Sequence, residues 1–100
     1  MPLAQVLYFK ADLKYLTVRT AGASHMLEGS LHQIEERYPG RFVRVHRGML
    51  VAAHALRALE RRIDPGKGEI WTVRLDGLDE PQPVARRQIQ AVREVLEQPK

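Results

Sequence analysis

Arg41, Arg44 and Arg47 recur every third residue through the segment RFVRVHRGMLV (41–51), with His46 among them. Arg61–Arg62 and Arg86–Arg87 form two further pairs. Arginine carries a planar fork of donors that fits phosphate oxygens and the O6/N7 edge of guanine. The acids collect elsewhere, at Glu35–Glu36 and at Asp76, Asp79 and Glu80. Charge segregated in this way suits a surface that meets a polyanion, and the plainer alternative is a set of solvated faces. His46-Arg47-Gly48 follows an alternating stretch, so a strand end would present His46 and Arg47 to solvent, with Gly48 allowing a sharp turn. Arg86 and Arg87 follow the extended stretch PVA at a helix start, where the macrodipole disfavours a cation unless an anion sits there too.

Other chemistries have little to stand on. His25, His32, His46 and His54 make no i, i+4 pair on a helix and no alternate pair on a strand, and there is no cysteine. A metal site is therefore not expected, nor a disulfide or a thiol nucleophile. No phosphate-binding glycine loop, dinucleotide fingerprint or serine nucleophile elbow occurs. Neither enzymatic activity nor a cofactor is expected.

The chain has 100 residues, room for one domain. With 44% hydrophobic and 28% charged residues it has globular composition, and its net charge of +4 is mild. Apolar runs fall short of the ~18 residues a membrane helix needs, and MPLAQVLYFK is not a signal peptide, so a cytoplasmic location is the expectation.

Stepping along the chain, residues 3–9 read as an apolar strand interrupted by Ala11 and Asp12. Residues 13–20 alternate as a second strand, and 24–28 close a hairpin across Ala21-Gly22-Ala23. Ser30 with Gln33 makes a capping box, Leu31, Ile34 and Tyr38 follow at helical spacing, and Pro39-Gly40 ends the helix. Residues 41–47 return to alternation, with Val43 and Val45 inward and Phe42, Arg44 and His46 on the other face. The stretch 49–62 has helix formers by composition. The turn Asp64-Pro65-Gly66-Lys67-Gly68 before the alternating strand 70–75 asks instead for a strand across from it. Asp76-Gly77 is a second turn signal, residues 81–85 are extended by their prolines, and Ile89, Val92 and Leu96 set a C-terminal helix. Two tightly spaced helices of a helix-turn-helix are absent.

The order LYFKADLKYLTVRT (7–20), SLHQIEERYPGRFVRVHRGMLV (30–51) and PQPVARRQIQAV (81–92) resembles the LytTR family of DNA-binding output domains of bacterial response regulators, nearest its alginate-regulator branch. The specific part is F-R-V-H-R followed by an apolar triplet and a downstream P-V-x-R-R. The resemblance covers nearly the whole chain. It implies a mainly β fold: an elongated arrangement of about ten short strands in small antiparallel sheets, with one or two short helices. It also implies strand rather than helix over most of 54–63.

The family further implies that loops enter successive major grooves of double-stranded DNA. Its base-reading positions map to Lys14 or Tyr15, to Arg47 and to Arg86. Phosphate contacts are expected from Arg44, His46, Arg57, Arg61, Arg62 and Arg87; about six such contacts would give a log–log salt slope of about −5. Tandem direct repeats, a possible dimer on DNA, and a receiver domain outside residues 1–100 complete the expectation for a two-component transcription regulator. Two other functions compete. One is a small β-rich interaction or dimerisation module using exposed leucines, Met49 and Trp71. The other is single-stranded RNA binding, which needs more free aromatics than the six present.

Overall fold

The computed structural model describes residues 3–98. Among the described residues, eight strands form two antiparallel sheets, fewer strands than the family resemblance implies, together with two short helices. The first sheet has the order β3-β2-β1-β5-β4, from β1 (Val6–Asp12), β2 (Tyr15–Thr20), β3 (Ser24–Glu28), β4 (Phe42–His46) and β5 (Met49–Ala52). The second has the order β6-β7-β8, from β6 (Leu56–Asp64), β7 (Gly68–Leu75) and β8 (Leu78–Val84). Helix α1 (Leu31–Arg37) has the reciprocal Ser30–Gln33 capping box that its sequence announces. Helix α2 (Ile89–Glu97) ends the described chain.

Two apolar clusters lie on opposite faces of the first sheet. Val6, Phe9, Leu16, Val18 and Leu50 pack with Leu31 of α1, and Ile34 covers them. On the other face, Val43, Val45, Met49 and Val51 meet Leu56, Val73, Leu75 and Val84 of the second sheet and Val92 of α2. This layering explains the near-continuous apolar run of β5, whose four residues are all buried because both of its faces are covered. Met49 belongs to this core and Trp71 is half-buried under Arg93, so neither supplies the free apolar face that an interaction module was expected to use.

Several boundaries differ from those expected. Leu3–Gln5 forms a 3-10 turn, and β1 begins at Val6 and continues through Ala11 and Asp12. Those two residues are paired with Leu16 and Tyr15, and hairpin pairing outweighs their poor strand propensity. Leu13 therefore belongs to the turn and not to β2. The helix-forming composition of 56–63 is overridden by an unbroken ladder from Ala58–Arg74 to Asp64–Gly68. Pro81 and Pro83 fit within β8 because it is the edge of its sheet, where a missing N–H is tolerated.

Candidate nucleic-acid interface

The register of the first sheet decides which turns meet. β1 and β2 pair out to Asp12–Tyr15, leaving Leu13-Lys14 as a two-residue turn. β5 is antiparallel to β1 with Met49 beside Lys10, so the Arg47-Gly48 turn between β4 and β5 lies at the same end. The Ala11 N–H donates to the Gly48 carbonyl (2.9 Å), tying the two turns together. At strand spacings of about 4.8 Å, the centres of these turns stand about 10 Å apart.

The second sheet joins at the same end. The Ala85 N–H donates to the Val45 carbonyl (2.8 Å), which places Arg86 and Arg87 beside the exit of β4. They occupy a 3-10 turn, Arg86–Gln88, that runs into α2. Val84 pairs with Trp71, and Trp71 with Arg61, so Arg61 and Arg62 continue the row across β7 to β6. Lys14, Arg47, Arg61, Arg62, Arg86 and Arg87 are all exposed. Among the described residues, only Arg61 of these six has an ion pair, an open one with Glu69 at 3.4 Å.

Three of the expected contact residues are placed differently. Arg57 lies at the far end of the molecule, where it pairs with Asp76 (3.0 Å) and donates to the His54 carbonyl (2.9 Å). Arg44 is half-buried against α1, with one arm of its fork on the Glu35 carboxylate and the other on the Arg47 carbonyl (2.9 Å). Tyr15 stands between Asp12 and Glu28 in the ladder, flanked by carboxylates that disfavour a contact with acceptor-rich base edges; Lys14 projects beyond them. Leu13, which reads in the sequence as the start of a strand, lies in the same turn as Lys14. It is fully exposed (102%) and has φ 53°, a left-handed conformation uncommon for leucine. The only signal in the sequence was an apolar residue next to a break in alternation.

His46 departs from simple alternation. The β4–β5 ladder steps from Arg44–Leu50 to His46–Met49, so Val45 is an extra residue and the bulge re-aims His46. The ring Nδ1 accepts the Gly48 N–H (3.0 Å), so the neutral ring carries its proton on Nε2. Burial first, and then the charges of Lys10 and Arg44, hold its pKa below the ordinary histidine value. His46 is thus suited to donate a neutral hydrogen bond. Gly48 is not in the left-handed region; its constraint is space, since a Cβ there would come within 3.3 Å of His46 Cε1.

Among the described residues no cluster of His, Asp or Glu is arranged to hold a metal, and no helix is long and apolar enough to cross a membrane. A concavity of about 880 Å³ lies between α1 and β1–β3, away from the basic turns.

The family model for the LytTr DNA-binding domain matches residues 1–97. The positive alginate biosynthesis regulatory protein of Pseudomonas aeruginosa is 36% identical over 98 residues, which are 98% of this chain but only 38% of that protein. A solved LytTr DNA-binding domain from Bacillus cereus superposes with a TM-score of 0.75 at 23% identity, over 98% of this chain and 86% of the other.

Proposed function

This chain belongs to the LytTr DNA-binding domain family, and we propose that it is the sequence-reading part of a transcriptional response regulator, gripping double-stranded DNA through turns rather than through a recognition helix. The observation that carries this reading is the convergence of three base-bearing turns at one end of the molecule. Lys14, Arg47 and Arg86 come from separate stretches of sequence and stand in one row, exposed and without acidic partners among the described residues.

Lys14, Arg47 and Arg86 are the base-reading residues in this proposal, with the arginines suited to guanine in the major groove. Leu13, at the tip of its turn, adds an apolar group of the kind that meets a thymine methyl. Arg61, Arg62 and Arg87 bind phosphates, and His46 donates through Nε2. The molecule measures 37 Å in its longest dimension, close to the ~34 Å of one turn of B-DNA. With about three phosphates neutralised, log K falls with log[salt] at a slope of about −3.

The chain covers little more than a third of its alginate-regulator relative, so regulation lies with the remainder of such a protein. A receiver domain joined to residues 1–100 would supply it, and two copies on tandem direct repeats would supply cooperativity, with a dimer forming on the DNA. In this proposal the domain works in the cytoplasm, has no enzymatic activity and needs no cofactor. Selection of bound duplexes from a random library tests the proposal. Enrichment of a repeated motif, bound more tightly as a pair of sites than singly, is the expected result; recovery of unenriched sequence would reject it.

A further inference from the structure

The Arg47-Gly48 turn has four backbone polar groups, and three of them are held, two by side chains of β4 and one by the backbone of β1. The Gly48 N–H goes to His46 Nδ1, the Gly48 carbonyl takes the Ala11 N–H of β1, and the Arg47 carbonyl takes the Arg44 guanidinium. Arg44 in turn reaches Glu35 of α1 with its second arm. Its Nε is buried and has no hydrogen-bond partner among the described residues, which costs stability. A half-buried arginine kept at that cost, with both arms spent on fixed partners, is better suited to setting a geometry than to stabilising the fold.

We propose that Glu35 and Arg44 are positioning residues for Arg47. Through the Arg44 fork, α1 fixes the turn that carries Arg47 and so sets the direction in which its side chain enters the groove. Arg44 is then not a phosphate contact, although it lies in the basic strand. The proposal rests on the assignment of Arg47 to base reading.

Its consequence has an unusual sign. Neutralising an acid ordinarily strengthens the binding of a polyanion. Here Glu35→Gln should weaken cognate binding, because it slackens the Arg44 fork. Arg44→Lys keeps the charge, but a single ammonium cannot serve both arms.

The test is a titration of this domain with its selected duplex and with a scrambled duplex, over a series of salt concentrations. The variants are Glu35→Gln, Arg44→Lys, Arg47→Ala and the double variant Glu35→Gln/Arg47→Ala, with urea midpoints confirming folding. Glu35→Gln and Arg44→Lys should each weaken the cognate complex by about tenfold. The salt slope should stay unchanged, and Glu35→Gln should add nothing once Arg47 is alanine. Glu35→Asp, which keeps the charge but shortens the reach, should give the same selective loss and serves if Glu35→Gln does not fold. Equal or tighter binding of both duplexes by Glu35→Gln would overturn the positioning role, as would additivity with Arg47→Ala. If Arg47→Ala itself leaves cognate binding intact, the base-reading assignment fails first, and the positioning role falls with it.

Discussion

The two ends of this small β domain carry arginines of the same chemistry in different company. At one end, Lys14, Arg47, Arg86 and Arg87 project from turns with no ion pair among the described residues. At the other, Arg57 spends its fork on Asp76 and on the carbonyls of His54 and Leu56, next to a turn that the Asp76 N–H closes onto the Ala55 carbonyl (2.7 Å). The first set has its donors free for a ligand, whereas Arg57 is used to fasten β6 to the β7–β8 turn. A count of basic residues cannot separate these roles, but the position of each within the strand ladder does.

The sharpest way to break this contrast is to remove one arginine from each end. Arg47→Ala or Arg86→Ala should cost about 1–3 kcal/mol in cognate DNA affinity and relax preference at one position. Arg57→Ala should leave DNA affinity unchanged. Its expected effect is a loss of about 0.2–1 kcal/mol in folding stability, as befits an exposed pair. Gel-shift titration and urea unfolding read the two effects separately. If Arg57→Ala weakened DNA binding as much as Arg47→Ala, the division between the ends would be wrong.

Much of the architecture is legible in the sequence because it is written in local signals. The Ser30–Gln33 box, the Pro39-Gly40 stop and the Asp64–Gly68 turn each act over a few residues, and each stands where it was expected. The interface is less legible because it depends on register. Arg44, Arg57 and Arg61 look equivalent as residues; Arg44 is diverted by an acid nine positions earlier on α1, and Arg57 by one nineteen positions later. The bulge at Val45 likewise redirects His46 in a way that simple alternation cannot express. Leu13 was hidden by the assumption that an apolar residue extends the strand beside it.

Leu13 offers the next, smaller test, with opposite signs on stability and on binding. Its φ of 53° costs a leucine about 1–2 kcal/mol, partly offset on mutation to glycine by the larger entropy of the unfolded chain. Leu13→Gly should therefore raise stability by up to about 1 kcal/mol while weakening cognate binding. A thermal melt paired with a DNA titration decides it. A variant that is more stable and binds equally well would show that the strain serves no contact.

The smallest expected effect concerns His46 and follows from its protonation. The neutral ring accepts the Gly48 N–H; the imidazolium carries a proton on Nδ1 and cannot. Burial, and the facing charges of Lys10 and Arg44, place the folded pKa below the ordinary value of about 6.5. In the window between the two values the unfolded chain binds more protons than the folded one, so stability rises with pH there. The contribution is fully present above about 6.5, declines as pH falls through the folded pKa, and is gone below it. The comparison is with His46→Asn, which isolates this one ring, measured by urea unfolding from about pH 8 to about pH 5. The wild type should lose more stability than the variant across that range. At the opposite end, Arg57→Ala should leave the slope untouched, since that arginine is not among the charges acting on His46. Parallel curves for wild type and His46→Asn would mean that the imidazole does not hold the turn, and that Gly48 and the Arg44 fork suffice to present Arg47.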